Sequence, residues 1–480
     1  MIDRNNIVKN LFWRFLERCG AQGVTLIVSI VLARLLDPDI YGTVALVTVF
    51  TTIMQIFVDS GMGSALIQKK DADDLDFSSV FYFNIVMCTV LYLIMFFASP
   101  FIAAFYKIPE LTAVVRVLSL ILVISGVKNV QQAYVSRHLM FKRFFFATLG
   151  GTIGAAVIGI LMAYWGFGVW ALVAQMLFNA TIDTLILWIT VKWRPKKMFS
   201  IKRLKSLFSY GWKLLVSSLL DTVYNNVRQL IIGKVYTKSD LAYYNNGKKY
   251  PEYLVSNINT AIDSVLLPTM SNEQEHPERV KSMTRRAIKT ATFIIMPLMV
   301  GFAVCSKQFV SLILTDKWLP AVPFMQIFCI SFSFYPIHTA NLNAIKAMGR
   351  SDLFFKLEII KKSIGVVTII IAIKFGVMAM AYSMLITSFI SQVVNSWPNK
   401  KLLNYSYLEQ VKDMLPQIGL SILMGAIVYV VSFLSLSVWL TLLIQIPVGM
   451  AVYLITSKLL HIESFDYIVG MLKNFRKKKV

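Results

Sequence analysis

The chain is poor in charge and poorer still in acid. Only 15% of its 480 residues are charged, and 25 aspartates and glutamates stand against 48 lysines and arginines. A soluble protein of this length would carry roughly 25% charge. No polar segment is long enough to fold alone, which excludes a soluble domain. Cysteine is scarce too: Cys19, Cys88, Cys305 and Cys329 lie far apart in apolar segments. They form neither a disulfide framework nor metal-ligand spacing, and read as small apolar packing residues. The four histidines, His138, His276, His338 and His461, are equally scattered. No GxxxxGK[ST] loop is present, so ATP is not bound by that route, and no metal or cofactor is expected. The start, MIDRNNIVKNLFWRFLERCG, lacks the apolar core and small-residue cleavage site of a signal peptide.

What the chain does have is apolar length. Hydrophobic residues make up 57% of it, and apolar runs of about 20 residues recur throughout, as a polytopic membrane protein requires. The expected fold is all-α, with about 14 transmembrane helices. They fall near 12–36, 42–66, 80–104, 112–135, 144–165, 168–192, 207–235, 241–268, 285–305, 321–346, 353–374, 377–397, 413–434 and 437–458. The spans between 207 and 268 are the most polar.

Basic residues gather in alternate loops: Lys69–Lys70, Arg137 with Lys142–Arg143, KWRPKKMFSIKRLK at 192–205, Arg279 to Lys289, Lys346 with Arg350, Lys400–Lys401 and the tail KNFRKKKV. This bias places those loops and both termini in the cytoplasm. It accounts for the formal charge of +23 without a nucleic-acid partner. The opposite loops are short: DPDI, the stretch near YKIPE, YWGFG, TKSD, the stretch near LTDKW, KFG and LSLSV. Membrane enzymes that act on lipid-linked sugars hold their reactive groups on a substantial outer loop, so an enzyme is not expected.

The chain also repeats itself. Trp13-Arg14 matches Trp212-Lys213, ARLLDPDIYG at 33–42 matches GKVYTKSDLAY at 233–243, and GFGVWAL at 166–172 matches KFGVMAM at 374–380. FKRFFF at 141–146 matches DLFFK at 352–356. The matches run in order at a nearly constant offset, so the halves are equivalent. An even number of spans per half gives both halves the same orientation. The expected organisation is a six-helix lobe at 1–200, a second at 201–400, an added helix pair at 401–460 and a basic cytoplasmic tail at 461–480. The two pseudo-symmetric lobes would surround a central cavity.

Charges inside the spans are the candidate site. Arg14, Arg18, Gln22, Thr25 and Ser29 share one face of the first helix, and Lys213, Ser217, Asp221, Asn225 and Arg228 repeat the pattern in the seventh. The eighth span adds Lys248, Lys249 and Glu252 beside Pro251. A charge facing lipid at mid-depth costs at least about 2.5–3.5 kcal/mol, so these stripes are expected to face a hydrated lumen. The bland alternatives stay open: Arg14 pairing with Glu17, Arg18 as a structural residue, Lys248 and Lys249 as interfacial anchors, Asp221 neutralising Arg228 or Lys213. Lys356, Glu358, Lys361 and Lys362 read as ordinary anchors near the cytoplasm. A cationic lumen favours an anionic group, and arginine matches phosphate oxygens with a bidentate fork.

These charges are assigned from depth and helix face; the chain as a whole resembles the polysaccharide transporter family of bacterial lipid-linked oligosaccharide flippases, the exporters of O-antigen, capsule and colanic-acid-type repeat units. The carriers are FLERCGAQG, VLARLLDPDIYGTVAL, SALIQKKD with DFSSVFYFN, FGVWALVAQ with WRP, YYNNGKKYP, and KWLPAVPFMQI with KAMGRSDLFFKLEIIKK. The family lies in the multidrug/oligosaccharidyl-lipid/polysaccharide exporter superfamily. The resemblance implies a bacterial inner-membrane protein and alternating access, with the glycan and (pyro)phosphate of a polyprenyl-linked substrate crossing through the lumen. Polysaccharide polymerase and glycosyltransferases are the implied partners beside the bilayer. Arg18, Arg14, Lys213, Arg228, Lys248, Lys249 and Asn225 are the candidate substrate contacts. Asp221, Glu17 and Asp59 are candidates for carrying a coupling proton or sodium ion; membrane potential could serve instead. Sugar selectivity is expected at Tyr224, Asn225, Asn226 and Tyr243. The rival is a multidrug or cation antiporter of the same fold, which would need unpaired carboxylates where this chain has arginine and lysine.

Overall fold

The structure is a computed structural model. It describes the backbone of residues 4–477 apart from 60, 61, 70, 139 and 435. Side chains are described from Gly20 onward, except at 64, 68, 141–143, 210, 213, 214, 261 and from 471 on.

The described chain runs through α1 (Arg4–Leu35), α2 (Pro38–Asp59), α3 (Met62–Gln68), α4 (Asp74–Tyr106), α5 (Leu111–Leu118), α6 (Leu120–Arg137), α7 (Phe141–Tyr164), α8 (Val169–Thr190) and α9 (Ile201–Val235). It continues through α10 (Lys238–Ser271), α11 (Pro277–Phe309), α12 (Val322–Ser333), α13 (Tyr335–Ala347), α14 (Ser351–Ala372), α15 (Val377–Leu403), α16 (Tyr407–Val431), α17 (Val438–Leu459) and α18 (Glu463–Lys477). Each expected span coincides with a helix or a broken helix pair. Among the described residues, 10 are long and apolar enough to cross a membrane. Of the others, α9, α10 and α14 are more polar, and the described apolar part of α1, Gly20–Leu35, is shorter than a full span.

The repeat is visible as local geometry. Both α1–α2 and α9–α10 are joined by a two-residue break. The second break is closed by a reciprocal cap: Thr237 N donates to Asp240 Oδ2 at 3.1 Å, and Asp240 N donates to Thr237 Oγ1 at 3.0 Å. The GFGV and KFGV segments place Gly168 (φ 53°) and Gly376 (φ 96°) directly before α8 and α15. An L side chain at either position would be strained, which accounts for glycine recurring there. The span α5–α6 breaks at Ser119, and its counterpart α12–α13 breaks at Phe334.

The helices gather into two compact units, residues 1–242 and 243–480. The repeat boundary near residue 200 expresses sequence equivalence; the packing boundary falls later because α9 lies against α2, α3 and α4. In the first unit α1 packs on α7, α7 on α8, α8 on α6, and α6 on α2 and α4. Met62, Leu66, Phe77, Phe81, Val130 and Leu187 form a buried core there. Gly42 permits a close approach: a Cβ on it would stand 2.0 Å from the Lys238 carbonyl oxygen. In the second unit α11 is the hub, touching α12, α13, α16 and α17, while α15 holds α12, α13 and α14.

Candidate functional site

Arg14, Glu17 and Arg18 fall on α1, and Lys213 falls on α9, but their side chains lie outside the described residues. Asp221 and Asn225 are exposed on α9, whereas Arg228 on the same helix is buried. On α10, Lys248 Nζ stands 3.9 Å from Glu252 Oε2, one turn away. Lys249 Nζ lies 5.9 Å from the ring centres of both Tyr250 and Tyr253. Of the expected sugar-selecting residues, Asn226 donates its Nδ2 to Thr222 O at 2.8 Å. Tyr243 meets the fully buried Trp318 edge-on, with ring centres 6.1 Å apart, so that ring serves packing.

The first unit holds charged groups that pattern reasoning passed over. Lys128 Nζ on α6 pairs with Asp183 Oδ2 on α8 at 2.9 Å, with side chains 18% and 14% exposed. Next to Lys128, Asn129 donates to Asp59 Oδ1 at 3.2 Å, and Asn84 Nδ2 on α4 donates to Asn129 Oδ1 at 3.4 Å. Lys128 lies nine residues before the end of α6, so the pair sits about 14 Å inside it. Lone charges in runs as apolar as LILVISGVK and NATIDTLILWIT are functional candidates by default, and that signal was available in the sequence.

At the basic-loop end of the same unit, two of the segments that carry the family resemblance meet. The DFSS turn opens α4: Asp73 Oδ1 accepts from Asp76 N at 3.0 Å, and Asp76 returns the bond to Asp73 N. That backbone hydrogen bond holds the Asp73 carboxyl below its usual range. The connection after α8 then folds across this turn. Trp193 Nε1 donates to Asp74 Oδ1 at 3.0 Å, and Lys196 Nζ pairs with Asp74 Oδ2 at 2.5 Å. Lys196 N and Ser200 N donate to the hydroxyls of Ser78 and Ser79 at 3.0 and 2.9 Å. Lys69 pairs at 2.5 Å with Asp76, which is fully buried. DFSS and WRP are thus the two halves of one clasp, which binds the connection before α9 to the first unit.

The second unit contains two polar assemblies and a greasy one. Asn341, Asn399 and Gln410 form a fully buried amide triad: Asn341 and Gln410 exchange hydrogen bonds of 2.9 Å, and Asn399 donates to Asn341 Oδ1 at 2.7 Å. At the basic-loop end, Asp413 accepts from Arg285 at 2.6 Å and from Tyr405 at 2.8 Å, and Lys289 bridges to Glu463 at 2.6 Å. Between α10, α11, α16 and α17 runs an open apolar groove of about 570 Å³, lined by residues such as Leu254, Phe302, Met424, Val428, Met450 and Leu454. Cys88, Cys305 and Cys329 are buried as free thiols, and among the described residues no cluster of His, Cys, Asp or Glu could hold a metal ion.

Broken and polar helices in a repeated array, with charge inside the spans, define a multi-pass membrane protein of transporter fold. The structure is similar to the lipid II flippase MurJ in its inward closed conformation (TM-score 0.77, 16% identity, covering 95% of this chain and 99% of that one). It is also similar to an inward-facing multidrug resistance MATE family transporter of the MOP superfamily (TM-score 0.63, 16% identity, 79% and 94% covered). Residues 31–323 match the family described as polysaccharide biosynthesis protein, and the chain belongs to that family. Relatives include the teichuronic acid biosynthesis protein TuaB of Bacillus subtilis, 24% identical over 84% of this chain and 85% of that protein. The lipopolysaccharide biosynthesis protein WzxC of Escherichia coli is 21% identical over 82% and 80%, and the succinoglycan biosynthesis transport protein ExoT of Rhizobium meliloti is 22% identical over 75% and 73%.

Proposed function

We propose that the protein is a flippase that carries polyprenyl-(pyro)phosphate-linked oligosaccharide units from the inner to the outer leaflet of a bacterial plasma membrane, by alternating access. The observation that carries this reading is the set of cationic residues on the polar helices α1, α9 and α10, in a chain whose relatives are named for surface-polysaccharide biosynthesis and transport. Arg14, Arg18, Lys213 and Arg228, with Lys248 and Lys249, take the phosphates; Asn225 adds an amide to the same face of α9. The apolar groove beside α17 suits a hydrocarbon chain, as the lipid end of such a substrate requires. Membrane-bound glycosyltransferases make a substrate of this kind and a polymerase consumes it, so both are its neighbours in function. The protein itself forms and breaks no bond.

A pyrophosphate carries about two negative charges, and a 100 mV potential, negative inside, favours the outward passage of each by about 2.3 kcal/mol. Asp221, Glu17 and Asp59 are the carboxylates available if a proton or sodium ion is exchanged. The test follows a fluorescent undecaprenyl-pyrophosphate oligosaccharide between the leaflets of proteoliposomes, with native protein and Arg18→Ala at equal density. Native protein is expected to move the lipid, and the variant to move it at least about tenfold more slowly, as the loss of a charged hydrogen-bond partner implies. Equal rates would remove Arg18 from the phosphate site. No movement of any such glycolipid by the native protein would favour the antiporter of the same fold.

A further inference from the structure

A second polar site lies wholly within the second unit, built from helices that the sequence does not bring together. Tyr335 and His338 are one turn apart on α13, with ring centres 6.5 Å apart. Asn395 Nδ2 on α15 approaches His338 Nδ1 at 3.4 Å. With the amide donating to Nδ1, the imidazole carries its proton on Nε2 and presents a donor. Lys361 on α14 lies within electrostatic reach of His338 and bonds Glu358 at 2.5 Å. Glu358, in turn, and Glu252 from α10 both lie within electrostatic reach of the Tyr335 hydroxyl.

Depth and exposure say what this ring of groups is for. His338, Glu358, Lys361 and Asn395 stand seven to ten residues from the basic-loop ends of their helices, which puts them in one layer about 10–15 Å inside. Tyr335 is 46% exposed and Glu358 29%, while Lys361 is only 13% exposed. A carboxylate turned to lipid at that depth would cost at least about 2.5–3.5 kcal/mol, so the open side of the cluster meets water or a polar ligand. Lys361 balances Glu358, and Glu252 borders Lys248, a cation of the phosphate site, at 3.9 Å. A charge-balanced cluster has no net pull on a pyrophosphate, and no net pull on a cation either. It offers carboxylate acceptors for neighbouring hydroxyls, an imidazole donor, and an exposed aromatic face for the C–H side of a ring. That is the chemistry of a hydroxyl-rich sugar.

We infer that Glu252, Tyr335, His338, Glu358, Lys361 and Asn395 form a sugar-recognition site that contacts the glycan of the lipid-linked substrate, separate from the cations that take its phosphates. The inference rests on the flippase reading and assigns the specificity-determining residues within it. It moves Lys361 and Glu358 from anchors to site residues.

The experiment measures binding of undecaprenyl pyrophosphate, bare and bearing glucose, galactose or N-acetylglucosamine, to purified protein in nanodiscs. Native protein binds at least one glycosylated lipid about tenfold more tightly than the bare lipid. In Tyr335→Leu and in the near-isosteric Glu358→Gln that preference falls to below about twofold, while affinity for the bare lipid is unchanged. A preference that survives both substitutions overturns the assignment, as does a native protein that does not tell glycosylated from bare lipid. Equal weakening toward bare and glycosylated lipid also overturns it, because the residues would then act on the head group or the fold. A native protein that binds none of the four lipids overturns the flippase reading itself.

Discussion

Lys128 and Asp183 are single ionisable residues in helices that are otherwise apolar, and they pair with each other at 2.9 Å. Removing one partner leaves a charge that the helix cannot solvate, whereas removing both leaves an apolar contact. Lys128→Met is therefore expected to destabilise the first unit by on the order of 2 kcal/mol. That is below the roughly 3–5 kcal/mol of a fully buried pair, because both groups keep some exposure. Lys128→Met/Asp183→Leu recovers most of the loss. Thermal unfolding of the purified protein in detergent measures both, and a double variant as unstable as the single one would show that the pair is not what sets the cost. Trp193 makes a related point. Its indole is buried, yet its N–H has a defined acceptor in Asp74, so the residue both packs and closes the clasp.

Among the elements, those that hydropathy could find are those whose whole length meets lipid or other helices, and they appear where expected. α9, α10 and α14 are harder because they trade apolar length for charge. Breaks within spans, at Ser119 and Phe334, leave hydropathy unchanged and were invisible to it. α18 is another element that periodicity did not resolve: the chain after residue 461 reads as a basic tail, and the structure folds residues 463–477 into a helix. Phe465 and Ile468 pack against a core that contains Phe293 and Tyr453. Glu463 ties the helix to α11 through Lys289, and this hydrogen bond lowers the Glu463 carboxyl pKa. A folded-state pKa below the unfolded one contributes stability at pH above the unfolded value, near 4.3, and that contribution is lost as pH falls through the folded value. Hydrogen exchange in the first turn of α18 is expected to be slow at pH 7 and, after correction for intrinsic rates, faster below pH 4. Glu463→Gln should show the faster exchange already at pH 7. Docking insensitive to both changes would mean that the apolar contacts alone hold α18.

For the whole molecule, the architecture was legible because a membrane leaves few choices: apolar length gives the spans, and recurring turns give the repeat. The cations proposed for the phosphates stand out in the sequence for the same reason, as charges conspicuous against apolar runs. The sugar-recognition cluster was not, because its members are spread from residue 252 to residue 395 and each alone resembles an interfacial anchor or a packing aromatic. Only the packing of α10, α13, α14 and α15 assembles them. Orientation is the property on which the direction of transport depends, and we propose it from the distribution of charge. Lys and Arg crowd in and beside the loops after α3, α6 and α8, whereas the short turn between α4 and α5 carries one lysine, Lys107, with Glu110. In a background with the four native cysteines replaced, Glu110→Cys is expected to react with a membrane-impermeant maleimide on intact cells. Lys197→Cys, in the clasp, should react only after the membrane is permeabilised. The opposite pattern would turn the molecule over. The same potential would then pull an anionic head group against the proposed direction of transport, and an outward flip would need a coupling ion.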